Sequence, residues 1–158
     1  KEHSSPKLKI YNYQSPKLYS YHSLLLKTAV SNAIDLSKPK TYLYEFQAGI
    51  MKSGLFDELA KRYDLQKLEL QTHLYTSEKL IDSFPGHIFI IESLGNIQYK
   101  QLKKNYKNQK VNIISKNFPL STAEIQKKLH CKTGTKTNFL IFTKSSQHFI
   151  VMKARKIK

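Results

Sequence analysis

The sequence predicts an α+β domain, and three observations carry that expectation. From residue 87 onward, strand-length apolar runs alternate with helix-length amphipathic ones in the order strand, helix, strand, helix, strand, strand. The 158 residues are enough to bury roughly 70% of the unfolded surface around one core. A hydrophobic fraction of 40% separates the chain from disordered, charge-dominated sequences. The expected result is a small sheet with helices packed on one face, preceded by a short strand-and-helix subdomain.

Taken in order, "KLKIYNYQ" and "KLYSYHS" each read as a strand, with Ser15-Pro16 supplying the turn between them. Their tyrosines suit cross-strand packing better than base stacking. "LLLKTAVSNAIDL" fits a short helix or a strand equally, and "SKPK" at 37–40 breaks the pattern. "TYLYE" is strand-like. "QAGIMKSGLFDELAKRYDL" is helical, with Ile50, Leu55, Leu59 and Tyr63 near one face. Gly54 weakens its middle by about 1 kcal/mol relative to Ala, so a kink or two consecutive helices is expected there. "QKLELQTHLYT" follows as extended chain, with Leu68, Leu70, Thr72 and Leu74 on one side. "SEKLIDSF" makes a helical turn, and Pro85-Gly86 makes a tight one.

"HIFIIESL" at 87–94 is a strand, residues 98–108 a helix and "VNIIS" at 111–115 a strand. "LSTAEIQKKLH" is the best-marked helix. Ser121 caps it, Glu124 completes a capping box, and Leu120 can staple to Ile125. "TNFLIFT" and "HFIVMKA" form an antiparallel pair around "KSSQ".

Charge is distributed unevenly. Residues 1–92 hold 12 Lys/Arg and 10 Asp/Glu, a net of +2, while residues 93–158 hold 15 Lys/Arg and one acid, Glu124, a net of +14. An AT-rich coding bias explains Lys in place of Arg but not the missing acids. The second half therefore points to a polyanionic partner. On a wheel of about 100° per residue, Tyr99, Leu102 and Tyr106 span about 60°, and Lys100, Lys103, Lys104 and Lys107 cover a neighbouring arc of about 100°. One face of that helix packs inward and the other is cationic. Lys127 and Lys128 flank Ile125 and Leu129 on the next helix, and Lys110, Lys116, Lys132 and Lys136 lie in the connections. Lysine suits phosphate without reading bases. These ten lysines are the candidate RNA-binding residues, weighed against the ordinary use of a lysine stripe as a solvated face.

Catalytic and metal chemistry is poorly supported. No Gly-rich turn follows a strand, and no GxSxG or Walker motif occurs. His130-Cys131 lacks the paired spacing of a zinc site. His73 and His87 have no carboxylate or cysteine companion in the sequence. Cys131, at a helix end among lysines, is placed to have a lowered thiol pKa, though nothing nearby resembles a base. As the lone cysteine it forms no internal disulfide, which favours a reducing, cytoplasmic setting. No apolar run approaches the roughly 20 residues of a membrane span.

Three stretches together resemble a known family. "YLYEFQAGIMKSGLFDELAKRYDLQKLELQTHLYTS" (42–77), "FPGHIF" (84–89) and "NFPLSTAEIQKKL" (117–129) are similar to the C-terminal region of Bacteroidetes-type class I SAM-dependent methyltransferases. There, a methyltransferase domain precedes a ferredoxin-like segment and then a THUMP-like domain. The chain departs from the family pattern at Phe46-Gln47, His87 and Lys116.

The resemblance implies a ferredoxin-like segment at 41–83 and a THUMP-like domain at 84–158. It makes residues 1–40 an N-terminal extension, either the end of the methyltransferase domain or a docking segment. It also implies that the chain is the C-terminal part of a longer enzyme, with the cofactor SAM bound by the parent and none by this chain. The partners it implies are RNA (tRNA or rRNA) and the N-terminal methyltransferase domain. THUMP domains bind RNA, so the resemblance and the charge asymmetry indicate the same half of the chain. The alternative is a non-catalytic protein-interaction or scaffold domain. A membrane contact is disfavoured, because no helix pairs its lysines with a large apolar face.

Overall fold

The computed structural model describes residues 7–11, 18–22, 34–134 and 136–158. Strands β1 (Lys7–Tyr11) and β2 (Leu18–His22) pair antiparallel, as the sequence indicates. Of the stretch left open between helix and strand, "LLLKTAVSNAIDL", residues 24–33 lie outside the described residues.

The main body is one seven-stranded sheet. Its strands are β3 (Tyr42–Phe46), β4 (Gln66–Glu69), β5 (Thr72–Ser77), β6 (Gly86–Asn96), β7 (Asn112–Lys116), β8 (Asn138–Ser145) and β9 (His148–Lys156), in the spatial order β4-β5-β3-β6-β9-β8-β7. All neighbours are antiparallel except β7 and β8. Helices α1 (Ala48–Ser53) and α2 (Phe56–Arg62) lie between β3 and β4. Helix α3 (Tyr99–Tyr106) links β6 to β7, and α4 (Thr122–Leu129) links β7 to β8.

Gly54 divides α1 from α2. It caps α1 at φ +73°, a left-handed conformation open to glycine at no steric cost. Acids in the first turn of α2 (Asp57, Glu58) and bases in its last (Lys61, Arg62) suit the helix dipole. Gly86 is required for a different reason. A Cβ there would collide with the Glu45 carbonyl oxygen and the Phe46 Cα, so only glycine lets β6 start against β3.

Strand alternation produces two faces. Tyr44, Phe46, Tyr75 and Ile88 pack under α1 and α2, while Leu140, Phe142 and Val151 pack under α3 and α4. Cross-strand register places both sets on the same face, so all four helices described here cover one side of the sheet. The opposite face holds Leu43, Leu68, Leu74, Phe89, Ile141, Met152 and Ala154. None of the described helices covers this inner face. The sheet curls instead, so that β4 and β5 meet β8 across it.

The curl is held by polar ties between distant strands. Asn117 Nδ2 donates to Thr72 Oγ1 at 3.0 Å, and Thr72 Oγ1 donates to the Lys144 carbonyl at 3.3 Å. The β8–β9 turn puts Ser146 at φ 47° and Gln147 at φ 71°, as a tight hairpin demands but two non-glycine residues resist. The Gln147 amide donates to Glu69 Oε2 at 3.1 Å, which helps hold that turn against the β4–β5 hairpin.

Two expectations need correction. The extended segment 66–77 is a hairpin, with Leu68 and Leu74 inside but Leu70 at the turn and 60% exposed. Residues 78–83 form no helix. The Tyr44 hydroxyl donates to the Lys79 carbonyl at 2.6 Å and accepts from the Ile81 amide at 3.1 Å, replacing helical bonds with a side-chain anchor.

Candidate nucleic-acid interface

Helix α3 is half-buried on one side and cationic on the other. Tyr99, Leu102 and Tyr106 pack into the cluster around Ile125 and Leu129, while Lys100, Lys103, Lys104 and Lys107 are exposed. Burial raises the phenol pKa of both tyrosines, so they remain neutral. Helix α4 forms where the capping box indicates: Ser121 Oγ accepts from the Glu124 amide, and Glu124 Oε2 accepts from the Ser121 amide at 2.7 Å. Leu120 packs against the same cluster as Ile125.

The two helices are fastened side by side. Lys128 Nζ sits 4.0 Å from the centroid of the Tyr99 ring, a cation–π contact. At their C-terminal ends, the Asn108 amide donates to the His130 carbonyl at 2.9 Å. The Lys132 amide donates to the Gln109 carbonyl at 2.8 Å, and the Val111 amide to the Lys132 carbonyl at 3.0 Å. This lacing brings Lys107, Lys110 and Lys132 together beside the last turns of α3 and α4, where Lys103, Lys104, Lys127 and Lys128 oppose the negative dipole ends.

Eight of the ten lysines therefore share the helical layer: Lys100, Lys103, Lys104, Lys107, Lys110, Lys127, Lys128 and Lys132. All are exposed, and among the described residues none pairs with a carboxylate. Nearby acids are engaged elsewhere. Glu124 belongs to its cap, and Glu92 bonds Lys153 at 2.9 Å and Arg155 at 3.5 Å, which holds its carboxyl below the usual range. Concentrated lysine charge without internal partners suits a phosphate backbone.

The other two lysines lie apart from this layer. Lys116 follows the alternation of Ile114 onto the inner face, where it pairs with Glu45 of β3 at 2.7 Å. Lys136 stands near Lys156 of β9. A triad built on the buried Lys67 and Tyr75 and the partly exposed Asp57 gives no signal in the sequence. Lys67 is 2% exposed and donates to both Asp57 carboxylate oxygens at 2.9 and 3.0 Å, and the Tyr75 hydroxyl donates to the same carboxylate at 2.7 Å.

The expected thiolate at Cys131 is overturned. Its side chain is buried, and burial pushes the thiol pKa up rather than down. Among the described residues no group of three or more His, Cys, Asp or Glu could hold a metal, and no helix is long and apolar enough to cross a membrane.

A mixed sheet with helices on one face defines an α+β fold, here with a lysine layer over its second half. Family comparison specifies it further. Residues 42–85 match the model of a ferredoxin-like domain, and residues 86–154 match the model described as THUMP domain-like. The chain thus carries a ferredoxin-like domain followed by a THUMP-like one, and the lysine layer lies in the second. The crystal structure of a putative methyltransferase from Porphyromonas gingivalis W83 has the same fold, with a TM-score of 0.77 at 24% identity. The match covers 96% of this chain and 38% of that one, so the chain spans well under half of that protein's length. No curated protein matches the sequence.

Proposed function

We propose that this chain is the RNA-binding part of a SAM-dependent RNA methyltransferase, and that the lysine layer of α3 and α4 holds the phosphate backbone of a structured RNA such as tRNA or rRNA. The carrying observation is the layer itself: eight exposed lysines on two laced helices, with no carboxylate among the described residues to neutralise them. The THUMP-like match supports RNA as the polyanion. The likeness to a protein described as a methyltransferase supports a parent enzyme whose N-terminal methyltransferase domain docks with this one. The reading assigns SAM binding to the rest of the parent, because no strand-to-helix junction among the described residues carries clustered glycines.

Fluorescence anisotropy with a labelled RNA hairpin tests the reading. Affinity should fall steeply with salt, each neutralised phosphate adding about −0.7 to −0.9 to the log–log slope. Replacing Lys100, Lys103, Lys104 and Lys107 with Gln should weaken binding and flatten that slope by up to about one unit for each phosphate no longer held. An unchanged slope in this variant would transfer support to the scaffold alternative.

A further inference from the structure

The inner face opens at one end onto a second charged group, separate from the helical layer. Four strands and one connection contribute to it. Glu45 on β3 lies directly opposite His87 on β6, so both side chains point to the inner face beyond the apolar cluster. Lys156 on β9 is register partner to Phe89, which puts it on the same face. Lys116 reaches from β7 to bond Glu45, and Lys136 arrives from the connection before β8. Lys116 bonds Glu45, Lys156 lies within its field and Lys136 stands beside Lys156, an excess of positive charge even with a neutral imidazole.

Aromatic rings lie among these charges. The His87 ring stands 6.5 Å from Phe89, and Phe89 stands 5.2 Å from Phe139, both edge-on. Phe89 is fully buried, whereas Phe139 is half-exposed and His87 exposed, so the two ends of the row present ring surface. Lys156 stands on the strand between β6 and β8, beside this row. Cations interleaved with accessible rings are the elements with which proteins hold single-stranded nucleic acid: charge for the phosphate, ring faces for the base. An isolated carboxylate ligand would have no use for the rings, and a duplex, with its bases stacked inside, offers them no free base face.

We infer that this mouth, formed by His87, Phe139, Lys116, Lys136 and Lys156 around Glu45, binds a single unpaired nucleotide of RNA. The lysines take its phosphate, and the base lies against His87 or Phe139. This deepens the RNA reading above and rests on it. The helical lysines hold backbone, while the mouth distinguishes a flexible, unstacked nucleotide from a duplex.

Two electrostatic facts agree with the geometry. His87 has its pKa lowered by burial and then by Lys156, with Lys116 adding to the effect and Glu45 opposing it. Lys156 has its pKa lowered by burial, with Lys136 adding and Glu45 opposing. An incoming phosphate would relieve both, so its binding should raise the His87 pKa and strengthen as pH falls through that titration.

The test is NMR titration of the isotopically labelled 158-residue chain with adenosine 5′-monophosphate, inorganic phosphate and adenosine as separate probes. The monophosphate should bind saturably, shift the ring resonances of His87 and Phe139, and move the His87 titration upward. Phosphate or adenosine alone should bind more weakly. Lys156→Gln and Lys136→Gln should each weaken the monophosphate about tenfold, as removal of one charge-assisted hydrogen bond predicts. The variant with α3 lysines replaced should retain this binding, which separates failure of the mouth from failure of the helical layer. An unmoved His87 titration in the wild-type chain would overturn the site, even where a variant fails to fold. An equal response to inorganic phosphate would overturn the nucleotide assignment.

Discussion

Residues 42–85 and residues 86–158 treat charge in opposite ways. The first region holds five Lys/Arg and seven Asp/Glu, a net of −2, and uses charge internally. Lys67 is buried against Asp57, and Lys61 pairs with Glu58. The second region holds fifteen Lys/Arg and two acids, a net of +13, and both acids are committed to a cap or an ion pair. Both regions belong to one continuous sheet through the β3–β6 pairing, so the contrast does not reflect separate folds. The first region offsets several of its charges within itself or against Lys116, whereas the second keeps most of its cations exposed despite their mutual repulsion. Such an arrangement is expected where an external anion completes the charge balance.

The sharpest way to break this comparison is at Asp57. Its carboxylate accepts from Lys67 and from Tyr75, whose phenol is pushed well above its ordinary pKa by burial and by that carboxylate. Asp57→Ala leaves a buried ammonium without its counter-ion, which should cost about 3–5 kcal/mol in urea unfolding. The four-lysine change on α3 should alter stability by no more than about 0.5 kcal/mol per site. Comparable losses in the two variants would mean that the α3 lysines are structural and that the contrast is wrong.

A smaller effect tests whether the lysine layer depends on local helix signals. Ser121→Ala removes the cap of α4, and with it one half of the Ser121–Glu124 box. The expected loss is about 1 kcal/mol. RNA affinity should fall slightly at most, because α4 is also held by Ile125, Leu129 and the backbone lacing to α3. Loss of RNA binding without loss of folding would show that α4 must be ordered more strictly than its packing alone provides.

Much of the second region is legible in the sequence because its signals are local. The capping box at Ser121, the amphipathic wheel of α3 and the strand pair around Ser146 each lie within a few residues, and each forms where the pattern places it. Gly54 likewise marks the break between α1 and α2. What escapes depends on register across the sheet. Lys116 and Lys132 look alike in sequence, yet one crosses to Glu45 on the inner face and the other joins the helical layer. Lys67 reads as an ordinary polar strand residue, because its partner Asp57 lies on a helix ten residues away. The β4–β5 turn carries no Gly or Pro, so the alternation of Leu68, Leu70 and Leu74 runs through it unbroken. The mouth of the inner face needs five strands aligned before its residues meet.

The smallest expected effect concerns pH and separates the two regions by one histidine each. Burial lowers the pKa of His73 on β5 and of His87 on β6 from the ordinary 6.5. A histidine whose folded pKa is depressed is protonated first in the unfolded chain. Its stability contribution is therefore fully present above about 6.5 and is lost as pH falls from there through the folded value. Glu69, Glu92 and Glu124 have lowered pKa values too, so their contribution is lost later, below the ordinary 4.5. Thermal melts between about pH 7 and 4 should then show a shallow histidine step followed by the start of a carboxylate step. His73 should dominate the first: its ring packs edge-on against Phe56 at 4.4 Å, and its buried Nδ1 has no hydrogen-bond partner among the described residues. The His87 ring is only partly shielded: it keeps solvent contact at the mouth, and Glu45 opposes the lowering. His73→Gln should accordingly flatten the upper step more than His87→Gln. The reverse order would mean that the mouth, not the ferredoxin-like region, holds the tighter constraint on an uncharged imidazole.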